Sequence, residues 1–199
     1  MPIRLTAVPP AGVAAVLPAL RAVYEAAFAG PPYDRPPVAA TAFGDALQRH
    51  TIYAGFALWV ARLTPAADPC GFAYGYTGGS GWWWNQVAPA LPPATRGAWA
   101  ADYFELVELA VAPAAQGRGI GGRLHDLLLA GRAERTALLT THQTETTALT
   151  LYRKRGWVTL VAPFFFGGGG DPFRIMGLDL RRVGPALAAR AALTPPGFI

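Results

Sequence analysis

The chain has 199 residues, of which 52% are hydrophobic and 15% are charged, so the composition excludes an intrinsically disordered protein and fits one domain with a full core. The net charge of +5 favours an anionic partner, but the basic residues form no stripe of the kind that binds nucleic acid. Cys70 is the single cysteine, which excludes an internal disulfide, and no uninterrupted apolar segment reaches about 18 residues; we therefore expect a cytoplasmic protein without a membrane span.

The first hundred residues predict strands and helices followed by an unassigned insertion. Apolar residues from Val13 to Phe28 recur at helical spacing, and Pro18 among them predicts a kink or a late start of that helix. Residues 77–101 begin with glycines, continue through three tryptophans and match no element; insertions of this length are usually functional or partly mobile. The predicted elements are strands over residues 3–8, 53–62 and 71–76 and helices over residues 13–28 and 38–49.

In the second half of the chain, predicted strands alternate with predicted helices, and an Ala/Pro-rich tail follows. The tail, from Arg181, fits a short helix or a frayed end. The alternation predicts an α/β (α+β) fold: a single domain over residues 1–199, in which about four helices flank a mixed central sheet of roughly six to seven strands. The predicted elements are strands over residues 103–111, 137–141, 157–166 and 173–180 and helices over residues 119–132 and 146–155.

One segment has the composition of an anion-binding site. The strand over 103–111 runs into Pro113, which has no N–H to donate, and glycines follow at 117, 119, 121 and 122 just before a helix. Glycine allows the backbone to approach a ligand closely, and the unpaired N–H groups at a helix start attract negative charge. The segment therefore predicts a diphosphate site. A purely structural turn is the alternative, although each glycine would weaken the helix start by roughly 1 kcal/mol.

Two other phosphate-binding motifs fit this segment less well. Gly117, Gly119 and Gly122 satisfy the G-x-G-x-x-G pattern of dinucleotide-binding folds. In those folds the strand leads almost directly to the first glycine and an acidic residue ends the next strand, whereas here residues 112–116 intervene and the next strand ends in Thr-Thr-His. A P-loop is excluded because no Gly-Lys-Ser/Thr follows.

The segment resembles one in a known enzyme family. Residues 116–121 (QGRGIG) match the Q/R-x-x-G-x-G/A motif of the GNAT superfamily (Gcn5-related N-acetyltransferases), and the preceding LAVAP resembles its strand and turn. Residues 146–157 resemble the family's second motif, with Trp157 for Phe and Thr146 for the usual Asn. The two motifs have the family's spacing and cover residues 103–160. The resemblance implies one GNAT domain and an acetyl-CoA-dependent N-acetyltransferase.

The resemblance also implies where acetyl-CoA binds. The backbone of residues 109–111 would pair with the pantetheine arm, and the amides of residues 116–121 would hold the pyrophosphate. Arg118 and Arg123 would each either contact phosphate oxygens or remain solvated. The implied cofactor-binding residues are Leu109, Ala110, Val111, Gln116, Gly117, Arg118, Gly119, Ile120, Gly121, Gly122 and Tyr152.

Acyl transfer to an amine needs a proton acceptor and a proton donor. Glu105 and Glu108 are the nearest carboxylates, and in a regular strand they would face opposite sides, although this family's strand is commonly bulged. Glu105 stands where histone-type members place their base and Glu108 is closer to the expected thioester, so both remain candidates. Tyr152 matches the tyrosine that in many members protonates or hydrogen-bonds the CoA sulfur. Backbone N–H groups near Ala110 and Val111 are the candidates for stabilising the oxyanion.

The resemblance implies direct transfer to a primary amine of a small molecule or peptide; a GNAT-fold sensor that binds acyl-CoA without turnover is the alternative. Family members are commonly dimers, and we expect no nucleic-acid or membrane partner. The histidines, at 50, 125 and 142, have no metal-ligand spacing, so no metal site is expected. Aromatic residues at 33, 82–84 and 164–166 either line the acceptor pocket or pack the insertion onto the core.

Overall fold

The computed structural model describes residues 3–79 and 81–193 of the chain. A short 3-10 turn, Pro10–Gly12, leads into the first helix, which begins at Val13 and contains Pro18. Of the two outcomes predicted for Pro18, a kink or a late start, the late start is therefore wrong. The elements of this part are β1 (Arg4–Val8), α1 (Val13–Phe28), α2 (Val38–His50), β2 (Ala57–Arg62) and β3 (Gly71–Thr77).

The insertion that matched no element consists of two helices. Proline occupies the first turn of the second of them, where its missing N–H is not needed. The remaining elements follow the predicted order within a few residues. They are α3 (Gly81–Ala90), α4 (Pro93–Trp99), β4 (Tyr103–Val111), α5 (Ile120–Leu129), β5 (Thr136–His142), α6 (Thr147–Lys154), β6 (Val158–Phe164), β7 (Phe173–Asp179) and α7 (Leu180–Ala192).

The strands of the described residues form one seven-stranded sheet in the order β1-β2-β3-β4-β5-β7-β6. The β1–β2, β2–β3, β5–β7 and β6–β7 pairs are antiparallel, and β4 pairs with β5 in parallel from Tyr103 opposite Thr136 to Glu105 opposite Leu138. The α/β fold with a mixed sheet is thus confirmed. Three helices come in addition to the four expected: α3 and α4 in the insertion and α7 in the tail, of which residues 194–199 lie outside the described residues.

The chain divides into two compact units. The first comprises residues 1–76, 107–131 and 185–199, and the second residues 77–106 and 132–184. Strand β4 contributes its N-terminal half to the second unit and its C-terminal half, from Val107, to the first. The two predicted motifs are therefore divided, because α5 belongs to the first unit and α6 to the second.

The core of the first unit is formed by one face of α1, by α2 and by β2 and β3. Residues Pro10–Phe28 are long and apolar enough to cross a membrane by length and composition alone, a test that core helices also pass. In the structure α1 buries one face against this core, as a core helix does. The buried members are Val13, Leu17, Leu20, Val23, Tyr24, Ala40, Phe43, Leu47, Leu58, Val60, Phe72, Tyr74 and Ala110.

The core of the second unit lies between the insertion and the last two strands. Val87 and Leu91 from the insertion pack with Phe164 of β6 and Ile175 of β7. Close packing extends to Gly177 of β7, where a Cβ would stand 2.6 Å from the ring of Trp99. The insertion is therefore an integral layer of the second unit.

Candidate active site

The turn after β4 contains two glycines with a left-handed backbone. Gly117 and Gly119 each have a φ of 74°, which residues with a side chain rarely adopt. A Cβ at either position would meet no described atom within 4 Å, so conformation and not crowding requires glycine. Gly119 directly precedes α5, and its left-handed backbone turns the chain into the helix. This turn thus has open space around the backbone at the start of α5.

Hydrogen bonds hold the turn in shape. The Gln116 side chain donates from Nε2 to the carbonyl oxygen of Val111 at 2.9 Å, which joins the two ends of the turn. The N–H of Ala115 donates to the carbonyl oxygen of Ala112 at 2.8 Å, and the N–H of Gln116 donates to that of Pro113 at 3.2 Å. Gln116 therefore shapes the turn through both its backbone and its side chain.

The first N–H groups of α5 precede its hydrogen-bond ladder. The N–H of Arg123 donates to the carbonyl oxygen of Gly119 at 3.2 Å, so the N–H groups of residues 120–122 come before the first bond of the helix. Ile120 is only 1% exposed, so its side chain packs into the protein at the start of α5. The Arg123 guanidinium donates to the carbonyl oxygen of Ile3 at 3.5 Å, whereas Arg118 is exposed. Of the two arginines, Arg118 is the better placed to reach an anion.

The backbone of β4 presents alternate residues to its two edges. The N–H of Ala112 donates to the carbonyl oxygen of Cys70 at 2.9 Å, so this residue faces β3. The carbonyl oxygen of Ala110 also faces β3, because a Cβ on Gly71 would lie 3.1 Å from it. The groups of Leu109 and Val111 therefore point to the opposite edge. Of the three residues predicted to pair with the pantetheine arm, Leu109 and Val111 direct their backbone groups away from β3, and Ala110 directs its carbonyl toward β3.

Glu108 lies half-buried in the first unit beside polar groups of α1 and the following loop. Burial raises the pKa of this carboxyl to about 8, while the positive charge of Arg35 opposes the rise. Burial and the nearby Glu108 together raise the pKa of Tyr24 to about 12, again opposed by Arg35. At neutral pH Glu108 is therefore mostly protonated in the free protein. A group with a pKa near working pH is suited to proton transfer.

Glu105 lies in a different environment, in the second unit. Its side chain is 1% exposed, and because Leu138 is its partner across the parallel strands it faces the side of the sheet that Thr140 shares. Tyr103, two residues earlier on the same face, packs against Trp84 with ring centroids 5.5 Å apart. Burial, followed by the charge of Glu105, raises the pKa of Tyr103. Glu105 is therefore a core residue of the second unit.

The second motif is helix α6 with the turns at its ends. Thr146 precedes the helix and its Oγ1 accepts a hydrogen bond from the N–H of Leu149 at 3.0 Å, so the residue that replaces the usual Asn caps α6. Tyr152 is 5% exposed and its ring lies 5.7 Å from that of Trp157. Gly156, with a φ of 89°, ends the helix in the left-handed conformation that favours glycine.

The three consecutive tryptophans of the insertion, Trp82, Trp83 and Trp84, have different roles. Trp83 donates from Nε1 to Oγ1 of Thr140 at 3.1 Å and, with Trp84, packs on the core of the second unit. Trp82 is 66% exposed and its ring stacks on that of Phe166 at 5.3 Å. Trp83 and Trp84 therefore pack the insertion onto the core, which is one of the two predicted roles.

Sequence reasoning missed three residues of the first unit. Arg35 and Tyr24 each interact electrostatically with Glu108, and burial, followed by the charge of Arg49, lowers the pKa of His50 to about 4. Arg35 follows a Pro-rich loop and Tyr24 belongs to an apolar helical stripe, so neither carried a signal of its own. Within residues 3–79 and 81–193, no three His, Cys, Asp or Glu side chains lie close enough together to hold a metal ion.

Comparison with known sequences finds similarity to acetyltransferases. Residues 54–159 match the family model described as "Acetyltransferase (GNAT) domain". The chain is 39% identical over 123 residues to "GCN5-like protein acetyltransferase Rv2170" of Mycobacterium tuberculosis, a match that covers 57% of this chain and 60% of that protein. This chain thus matches less than two thirds of the length of that relative.

Comparison with solved structures shows the same fold. A putative GNAT-family acetyltransferase from Desulfovibrio desulfuricans superimposes with a TM-score of 0.56 at 21% identity, over 89% of this chain and 99% of that one. PaiA N-acetyltransferase from Thermoplasma acidophilum, solved in complex with coenzyme A, gives a TM-score of 0.56 at 13% identity, over 90% and 99% of the two chains. At these identities the likeness concerns the fold alone.

Proposed function

The chain belongs to the GNAT acetyltransferase family, and we propose that it transfers the acetyl group of acetyl-CoA directly to a primary amine of a small molecule or peptide. The turn between β4 and α5 carries this proposal. Its two left-handed glycines and the N–H groups at the start of α5 form a backbone site for a diphosphate, which acetyl-CoA contains. The complex of PaiA with coenzyme A supports this choice of ligand.

The first unit supplies the groups that would hold acetyl-CoA. Residues 117–122 bind the diphosphate through their amides, and Arg118 adds a positive charge. Leu109 and Val111 direct backbone groups away from β3, where an extended amide chain would pair as an added strand does. The carbonyl of Val111 already accepts from Gln116, so its N–H and the groups of Leu109 remain for pairing. The N–H of Val111 is also the proposed oxyanion donor.

Glu108 is the proposed base. Acetyl-CoA supplies a thioester carbonyl: an N–C bond forms, the C–S bond breaks, the nitrogen loses a proton and the sulfur gains one. Glu108 accepts the proton of the amine, directly or through water, in its ionised form. Because its pKa is about 8, the ionised fraction and the activity increase as the pH rises toward that value. Glu105, 1% exposed, is proposed to be structural.

Tyr152 is the proposed proton donor to the sulfur. This assignment depends on its place in the second motif, and α6 holds it at the last turn before Gly156. A phenol, with an ordinary pKa near 10, is a suitable donor to a thiolate. We expect Tyr152→Phe to lower kcat more than it changes the KM of acetyl-CoA. Unchanged turnover would remove the residue from the proton transfer.

The proposed reaction takes place in the cytoplasm. The single cysteine, Cys70, is compatible with a reducing compartment. Burial raises the pKa of its thiol, which keeps it in the unreactive protonated form, as expected for a residue that direct transfer does not use.

Two measurements on the full chain test the function. Acetyl-CoA is expected to raise the Tm, because a ligand that binds only the folded state stabilises it. A broad panel of primary amines is then screened for release of free CoA thiol. Stabilisation with release supports the transferase, and stabilisation without release from any amine supports the acyl-CoA sensor. The absence of stabilisation by acetyl-CoA would exclude both.

A further inference from the structure

Gly71 begins β3 at a point where several elements of the first unit meet. It stands opposite Ala61 of β2, and the N–H of the preceding Cys70 donates to the carbonyl oxygen of Ala61 at 2.8 Å. On the other side, the carbonyl oxygen of Cys70 accepts from the N–H of Ala112 at 2.9 Å. The backbone at Gly71 is therefore held between β2 and the end of β4.

The space that a side chain of Gly71 would need is already filled. A Cβ there would lie 3.1 Å from the carbonyl oxygen of Ala110, 3.2 Å from Cγ2 of Val111 and 3.4 Å from Cγ2 of Ile120. The two carbon contacts are shorter than the optimal separation of about 3.5–4.0 Å, and a glycine within a strand often marks such a close approach. The backbone of Gly71 lies outside the left-handed region, so crowding and not conformation requires glycine. The opposite holds at Gly117 and Gly119.

Two of these neighbours belong to the proposed acetyl-CoA site. Ile120 begins α5, whose first N–H groups would hold the diphosphate, and Val111 ends β4, where its N–H would pair with the pantetheine arm. Ile120 is 1% exposed and Val111 is 9% exposed, so neither side chain can turn out into solvent. A methyl group on Gly71 would therefore displace the backbone of the site itself.

We propose that Gly71 is a positioning residue for acetyl-CoA. Because it has no side chain, the end of β4 and the start of α5 lie directly against β3, and this contact sets the direction of the N–H groups that would bind the cofactor. Hydrogen bonds weaken as the donor turns away from the acceptor, so a small displacement of these groups lowers the affinity. This inference rests on the proposed function, because it concerns the same cofactor site.

The test measures the Kd of coenzyme A by calorimetry for the wild-type chain and for Gly71→Ala, and records the Tm of each chain without ligand. Gly12→Ala is the matched control. It makes the same replacement in the same unit, and a Cβ there would lie 3.2 Å from Cγ1 of Val8, outside the proposed site. A further pair of variants is Val111→Ala, which removes the methyl group at 3.2 Å, and its combination with Gly71→Ala.

Gly71→Ala is expected to raise the Kd of coenzyme A about tenfold, as a moderately overpacked contact does, whereas Gly12→Ala should leave the Kd unchanged. In turnover the change should appear in the KM of acetyl-CoA and not in kcat. In the Val111→Ala background the effect of Gly71→Ala should fall to about threefold, because the contacts to Ala110 and Ile120 remain. A purely structural role of Gly71 would lower the Tm and leave the Kd unchanged.

The other outcomes separate the inference from the proposed function. A Kd of Gly71→Ala within about twofold of wild type overturns the inference and leaves the transferase intact. A rise in Kd that Gly12→Ala shares, or that Val111→Ala does not reduce, does the same. If Gly71→Ala does not fold, the double variant replaces it: a Kd equal to that of Val111→Ala overturns the inference, and a higher Kd supports it. A folded wild-type chain that does not bind coenzyme A overturns the proposed function, and the inference with it.

Discussion

The two halves of β4 carry one glutamate each, and the two glutamates differ in their burial and in the residues around them. In the N-terminal half all of the first four residues are buried, and Glu105 lies beneath the tryptophan-bearing insertion of the second unit. In the C-terminal half Glu108 is half-buried in the first unit, beside Arg35 and Tyr24. The residue type and the strand are the same; what differs is the layer of the protein that covers each half.

The irregularity of the strand explains how the difference arises. Val107 and Ala110 are three residues apart, yet both pack against the core cluster of the first unit. In a regular strand such residues face opposite sides, so β4 is irregular between them. Such irregularities redirect side chains next to functional sites. The comparison teaches that burial, and not position relative to the motif, is the feature in which the two candidates differ.

The largest effect that we predict is the loss of activity in Glu108→Gln. Removal of a general base lowers kcat/KM by about 10²–10⁴-fold. Wild-type kcat/KM should rise with pH through the pKa of about 8, because the base acts in its ionised form. Glu108→Gln should lack this rise. A pH profile of initial rates, from about pH 6 to 9.5, measures both.

Glu105→Gln is the matched control for this comparison. It makes the same replacement of a carboxyl by an amide of the same shape, so we expect a change in the Tm with kcat/KM within about threefold of wild type and the pH profile preserved. The reverse outcome, with activity lost in Glu105→Gln and kept in Glu108→Gln, would exchange the two roles.

A smaller effect on activity is predicted at the turn that follows the C-terminal half of β4. Gly119→Ala places a side chain at a φ of 74°, which costs about 1–2 kcal/mol or a shift of the turn. The amides at the start of α5 would then be misdirected, and the KM of acetyl-CoA should rise about tenfold with little change in kcat. Steady-state kinetics with acetyl-CoA varied gives this result directly.

Gly97→Ala controls for the replacement itself in the second unit. Gly97 lies in α4 with no described atom within 4 Å of a Cβ, so alanine there should be neutral or slightly stabilising. An unchanged KM in Gly119→Ala would show that the turn tolerates a side chain, and the diphosphate proposal would lose its main support.

The sequence predicted what depends on local chemistry. The bounds of β4, the helix after the glycines and the second motif could all be predicted, because proline, glycine and apolar spacing act within a few residues along the chain. Thr146 could be placed in the second motif, but its role could not be predicted, since its capping bond depends on the helix that follows. The choice between Glu105 and Glu108 could not be made, because an irregular strand removes the parity on which such a choice depends.

The rest depends on contacts between distant residues. The α3–α4 insertion is rich in tryptophan and proline, and its helices are fixed by packing on β6 and β7, far along the chain. Arg35 gains its importance only because α1 and β4 bring Tyr24 and Glu108 near it. A loop arginine has no local pattern that distinguishes it from a solvated one, so spatial neighbours were needed to identify it.

The smallest effect that we predict concerns stability, and it contrasts two half-buried titrating groups of the first unit, His50 and Glu108. The pKa of His50 is lowered from 6.5 to about 4, and its Nδ1 lies 3.3 Å from the hydroxyl oxygen of Tyr74. Between these values the unfolded chain binds more protons than the folded one, so the free energy of unfolding should fall as the pH drops from about 6.5 toward 4. Glu108, with its raised pKa, has the opposite sign: its folded form holds the extra proton, so stability falls as the pH rises from 4.5 toward 8.

We expect His50→Gln to remove about 1 kcal/mol of the acid-side loss of stability, a value discounted for partial exposure. We expect Glu108→Gln to flatten the loss on the alkaline side. Urea unfolding between pH 4.5 and 8 measures both slopes, and an acid-side slope shared by His50→Gln and wild type would show that His50 is protonated in the folded protein.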